Sequence, residues 1–172
     1  MICGIVAGQT PDSAVPDSAV SARYWRVLFT DNNGDPSYVT VVDLELRATV
    51  GGADQTDASE IGMEYTASSM VNSSNNVEMA FDNVPNSKWA SNGRPTVGSP
   101  QWLKVNFDIS APFDTKVYVR EISIIGCITG QTAMAPKDFA LQRSDDDSSW
   151  TTVMTVTGQT GWTAGERRNF AV

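Results

Sequence analysis

The sequence predicts an all-β fold, a jelly-roll β-sandwich of about eight antiparallel strands. Three observations carry this expectation. Segments with period-two alternation of apolar and polar residues recur from Ala22 to the C-terminus. Clusters of Gly, Pro and Asn punctuate them at short intervals. No stretch keeps a helical apolar period long enough for a substantial helix, and abundant Val, Thr and Ser suit pleated, half-exposed surfaces.

The first strand is "ARYWRVLFT", with Trp25, Val27 and Phe29 on one face and Tyr24 and Arg26 on the other. "DNNGDP" supplies a turn. "YVTVVDLELRATV" reads as one long strand, with Val42, Leu44 and Leu46 facing one way and Asp43 and Glu45 the other. After the loop "GGADQTDASEIG", a short strand "MEYTAS" and a single helical turn in "NNVEMAF" are expected. "QWLKVNFDI" sets Leu103, Val105 and Phe107 against Trp102, Lys104 and Asn106. "KVYVREISIIG", "KDFALQRS", "WTTVMTVT" and "RRNFAV" complete the set, and "RSDDDSS" is a hairpin turn, since it lacks the ligand order of a calcium-binding EF-hand.

The 172 residues fit one core-forming domain, residues 22–172, preceded by an extended arm, residues 1–21. The arm contains the tandem repeat "PDSAVPDSAV". It reads either as a semi-rigid linker or as a docking arm whose apolar tip, Ile2, Ile5 and Val6, inserts into a larger assembly. A net charge of −8 disfavours a nucleic-acid partner. The absence of histidine removes Ser-His-Asp and Cys-His catalysis and imidazole zinc sites. No two acids are paired by the sequence as a glycosidase requires, so no enzyme activity is expected. The two cysteines, Cys3 and Cys127, make no disulfide framework; a single bridge and two buried thiols both remain open. No apolar run is long enough to span a bilayer, and "MICGIVAGQ" lacks the basic residues of a signal peptide.

Three blocks carry a family resemblance. "AFDNVPNSKWAS" is similar to an A-x-D-G-N-x-x-T-x-W-x-S loop, "PQWLKVNFD" to a q-W-l-q-v-D-l-G strand, and "FALQRSDDDSSWTTV" to a hairpin with Ser144, Asp147 and Trp150 at matching points. Together they resemble the discoidin, or coagulation-factor type C, family of galactose-binding-like fold. A fourth block, "ARYWRVLFT…VVDLELRA", resembles the closing strand pair of that family, displaced from the C-terminus to the N-terminus. Chain ends that lie side by side can be moved in this way without altering the packing. The permuted layout is similar to domains of bacteriophage structural proteins.

The resemblance implies a carbohydrate-binding module on a virion, at its surface or tail, assembled in the host cytoplasm and present in many copies. Its partners would be host glycans and, through the arm, other virion proteins; the other reading is a decoration protein that uses the fold only as a scaffold. The resemblance further implies a structural calcium ion at Asp82 and Ser87, with Asp43 and Glu45 in the place of the family's acidic strand. The matching loop departs from the pattern at Asn83, where the family has Gly, and at Val84, where it has Asn. The other reading of Asp82 is a turn cap that accepts backbone N–H groups. The glycan rim would hold Tyr65, Asn92, Arg94 and an exposed Trp162.

Overall fold

The computed structural model describes residues 20–57, 62–107 and 115–172. The proposed arm tip, the tandem repeat up to residue 19 and Cys3 lie outside the described residues. The described chain forms ten strands: β1 (Tyr24–Asn32), β2 (Thr40–Val41), β3 (Asp43–Arg47), β4 (Glu64–Ala67), β5 (Trp89–Ala90), β6 (Gln101–Asn106), β7 (Glu121–Ile125), β8 (Pro136–Ser144), β9 (Thr151–Val156) and β10 (Arg167–Ala171). All pairings are antiparallel. A five-stranded sheet runs β4-β6-β1-β8-β9, a three-stranded sheet runs β10-β7-β3, and β2 pairs with β5. Two single 3-10 turns, Ser73–Asn75 and Val77–Ala80, fill the place of the expected helical turn.

The alternation read from the sequence decides which face is buried. From the large sheet come Trp25, Val27, Phe29, Leu103, Val105, Phe139 and Leu141; from the small sheet come Leu44, Leu46, Ile122 and Ile124. Phe29 links the layers, 5.9 Å from the Trp89 ring and 6.2 Å from that of Phe139. Trp25 keeps its buried indole N–H bonded to the carbonyls of Ala22 and Val117, both at 3.2 Å, so the ring adds apolar area without an unpaired donor.

The expected long strand over residues 38–50 is instead split at Val42. Thr40–Val41 pairs with Trp89–Ala90, whereas Asp43–Arg47 pairs with β7. The chain changes sheets there, and alternation alone does not show a change of partner. The expected strand in "KVYVREISIIG" begins only at Glu121, after an isolated bridge between Ala22 and Val117. The "RSDDDSS" segment is the hairpin between β8 and β9. Asp146 Oδ1 accepts from the amides of Ser148 (2.9 Å) and Ser149 (2.7 Å), and Asp147 takes a left-handed φ of 58°.

The strand register brings one set of loops to the same end of the sandwich: the segments after β1, before β5, after β7 and before β10. Gly126 shows how close they come. A Cβ there would sit 2.9 Å from Pro136 Cδ, 3.2 Å from Ala135 Cβ and 3.3 Å from the Trp162 ring. Gly126→Ala is expected to lower the unfolding free energy by about 1–3 kcal/mol through overpacking. Trp89→Ala is expected to cost about 3–5 kcal/mol through its cavity. Urea unfolding followed by far-ultraviolet circular dichroism checks both.

Candidate functional site

Asp82 sits between a buried Phe81 and an exposed tip, Asn83–Asn86. Its Oδ1 accepts from the Val84 amide at 2.9 Å and its Oδ2 from Ser87 Oγ at 2.7 Å. Asn83 and Asn86 adopt φ of 54° and 69°, a region that Asn enters more readily than other non-glycine residues. Trp89 closes the loop from below, fully buried, with its indole N–H 2.8 Å from the Ser69 carbonyl. The carboxylate thus braces the turn, and the tryptophan anchors it to the core.

Asp43 and Glu45 project from β3 on the face opposite Leu44 and Leu46, and both are buried. Arg167 of β10 ion-pairs with both of them and donates from Nη1 to Ser123 Oγ at 2.9 Å. Arg47 continues the row, 2.7 Å from both Glu45 Oε2 and Glu121 Oε1. Burial pushes the Asp43 carboxyl up to about 6, against the opposing pull of Arg167. Burial also raises Asp54, which stands near Glu45.

Between the Asp82 loop and this row lies a cavity of about 370 Å3. Its polar lining comprises Asp43, Arg167, Asn83, Asn86 and Thr129. Asp43 commits Oδ2 to Arg167, and no hydrogen bond among the described residues reaches its Oδ1. The far wall, residues 164–165, is tied down by the Gly165 amide, 3.0 Å from the Cys127 carbonyl. Beside it, Glu166 accepts from Arg168 at 2.7 Å and from the Thr163 amide at 2.8 Å, which holds its carboxyl down at about 2. The buried thiol of Cys127 is free, and burial raises it above the ordinary thiol range.

The structure distributes the sequence-predicted residues unevenly. Asp43 lines the cavity, while Asp82 and Ser87 brace the loop that forms one wall. The four expected calcium ligands do not form one donor set. Both Asp82 oxygens are engaged within the turn, and Asp43 and Glu45 share a guanidinium. Among the described residues no cluster of three or more acids or cysteines has metal-binding geometry. Trp162, expected to be exposed, is buried: its N–H bonds the Pro136 carbonyl at 2.8 Å, and Arg168 covers the ring at 4.2 Å. Tyr65 packs on Phe81 at 4.6 Å and points its hydroxyl at the carbonyls of residues 56 and 57. Asn92 and Arg94 are exposed, with Arg94 3.3 Å from Asp31. None of these four lines the cavity. Sequence reasoning missed Arg167 and Thr129. The signal for Arg167 was a charge in "RRNFAV", in phase with the acids of a strand two places across the sheet.

Residues 64–171 match the family described as F5/8 type C domain. The chain belongs to the F5/8 type C family. No curated protein and no solved structure matches it. The F5/8 type C, or discoidin-type, fold is generally a non-catalytic binding module. In this chain the family match begins at β4, yet β1 forms the centre of the large sheet and β3 an outer strand of the small one.

Two predictions follow from the ionic row. Arg167→Ala strands the buried Asp43 and leaves Glu45 only Arg47, and is expected to cost about 3 kcal/mol, measured by chemical denaturation. The Asp43 carboxyl has a higher pKa folded, about 6, than unfolded, about 3.9. The folded state therefore binds more protons between these values, so this group stabilises most below about pH 4 and loses that stabilisation as pH rises through 6. The wild type should lose roughly 2 kcal/mol more than Asp43→Asn between pH 4 and 7. Parallel slopes for the two proteins would count against the assignment.

Proposed function

We propose that this chain is a non-catalytic glycan-binding module that holds a sugar in the cavity between the Asp82 loop and the Asp43–Arg167 pair. The observation that carries the reading is the lining itself. A sugar offers adjacent hydroxyls, each both donor and acceptor. The cavity sets an uncommitted carboxylate oxygen, two amide side chains and a hydroxyl around one space. Its volume lies at the lower end of the range for small-molecule sites. Both walls are braced, so little ordering would be needed on binding. Arg167 fills the electrostatic role that a calcium ion was expected to play beside Asp43 and Glu45.

The particle-level reading extends this. A strand pair supplied ahead of the family match, as in the bacteriophage structural proteins that the sequence resembles, supports a module carried in many copies on a virion. Copy number would then raise weak single-site affinity through multivalency. Host surface polysaccharide is the partner class this reading assigns.

The test is binding of the full chain to polymer-displayed host glycans, with calcium and then with chelator. Binding is expected, and chelator should leave it unchanged. Asn86→Gly keeps the left-handed backbone, removes one amide and should weaken binding roughly five-fold. Binding abolished by chelator would restore Asp82 as a metal ligand. No binding to any multivalent glycan would favour the decoration-protein reading.

A further inference from the structure

The sequence places glycine directly after asparagine twice, at Asn33–Gly34 and at Asn92–Gly93. In each pair the glycine has no Cβ to shield its backbone nitrogen from the side-chain amide before it. An asparagine in that setting can react with its own backbone. The glycine nitrogen attacks the asparagine Cγ, and the new C–N bond closes a succinimide ring. The side-chain nitrogen leaves as ammonia, carrying off the proton that the glycine nitrogen gives up. Water then opens the ring at one carbonyl or the other, giving aspartate or isoaspartate. The sum is loss of ammonia and gain of water, with no oxidant or reductant. Two freedoms decide the rate: the side chain must turn onto the next nitrogen, and that nitrogen must be uncommitted.

The structure treats the two pairs oppositely. The Asn33 side-chain nitrogen donates to three carbonyls: Ala135 at 3.0 Å, Pro136 at 3.3 Å and Gln159 at 3.0 Å. The nitrogen that would attack is engaged too, since the Gly34 amide donates to Asn32 Oδ1 at 3.0 Å. Reaction there requires both sets of bonds to break first. The Asn92 side chain is exposed and makes no hydrogen bond among the described residues. The Gly93 amide donates to nothing among them either. The bonds that hold this loop use other atoms: the Asn92 amide donates to Ser69 Oγ at 2.9 Å, and Ser91 Oγ to the Gly93 carbonyl at 2.8 Å.

We propose that Asn92 is a site of spontaneous deamidation and that the fold protects Asn33 from the same reaction. The proposal is independent of the glycan reading. Its product forms where it can alter the surface. Aspartate adds a negative charge two residues before Arg94, whose guanidinium lies 3.3 Å from Asp31. Isoaspartate also adds a methylene to the backbone, inside the loop that the Ser91–Gly93 bond closes. Ser91 Oγ is in turn the acceptor for the buried Val39 amide at 2.9 Å, so the change reaches the core edge.

Peptide mass spectrometry of the full chain, sampled during incubation at mildly alkaline pH, tests this. Each conversion adds about 1 Da and one negative charge, and fragmentation by electron transfer separates isoaspartate from aspartate. In the folded chain Asn92 should convert at least about ten-fold faster than Asn33, because the Asn33 reaction must first break several hydrogen bonds of about 1 kcal/mol each. In urea the two rates should converge. Asn92→Gln, a change at an exposed side chain, should remove the acidic species that ion exchange resolves from the wild type. An Asn92 that stays intact in the folded chain while it converts in urea overturns the assignment. An Asn33 that converts as fast as Asn92 in the folded chain overturns the protection. An acidic species that forms at an unchanged rate in Asn92→Gln also overturns the assignment.

Discussion

The arrangement depends on Arg167. It crosses from β10 to the two acids of β3, passing over Ser123 of the intervening strand. Without a cation there, Asp43 would be a buried charge with no partner beside a second acid, Glu45, that keeps only Arg47, a state that costs several kcal/mol. With it, the outer face of a three-stranded sheet carries acids at burial levels that they almost never reach unpaired. Arg47 repeats the arrangement further along, between Glu45 and Glu121. The row is therefore an alternating chain of charges, and its last member at the loop end is also the floor of the cavity. Asp43 faces both the sheet and the cavity: Oδ2 pairs with Arg167, while Oδ1 takes no hydrogen bond among the described residues.

The core was legible from the sequence because burial on one face of a strand leaves a period of two. Trp25, Val27 and Phe29, and again Leu103 and Val105, face inward as the alternation requires. The hairpin at Asp146 was legible because its short polar side chains can cap their own turn. The break at Val42 was not, since both halves of that segment are extended and differ only in their partners. The shared face of the two acids was legible, but their burial was not, for a related reason. Alternation placed Asp43 and Glu45 opposite Leu44 and Leu46, and a face opposite the core ordinarily meets water. Here it meets Arg167, more than 100 residues away in sequence from both acids, and for Glu45 also Arg47, two residues away. Trp162 failed in the other direction: small neighbours suggested exposure, but they let the ring sink beneath Arg168 and bond the Pro136 carbonyl.

The Asp82 loop forms the turn cap that was one of its two readings from the sequence. Its family motif suggested a metal clamp, whereas its geometry is that of a self-bracing turn. The two differ in what satisfies the carboxylate. A calcium ion needs several hard oxygens converging on one point, whereas the turn needs one hydrogen bond to each Asp82 oxygen, from the Val84 amide and the Ser87 hydroxyl. The substitution of Val at position 84 is consistent with this use. A backbone N–H can brace the turn whatever side chain the residue carries, so position 84 is released to present an apolar group outward.

Under the proposed glycan reading, that release links the loop to ligand selection. A tip held by backbone and carboxylate bonds can vary its outward side chains without losing its shape, because none of those bonds involves the side chains of Asn83, Val84 or Asn86. The opposite wall is built on the same principle: the Gly165 amide bonds the Cys127 carbonyl, and Glu166 fixes the turn at Thr163. The cavity is thus framed by two backbone-braced loops over a charge-paired floor. Specificity can then reside in a few exposed side chains, whereas stability resides in the buried ones beneath them. Changes at Val84 or Asn86 should alter what is bound far more than whether the domain folds, and changes at Trp89 or Arg167 should do the reverse.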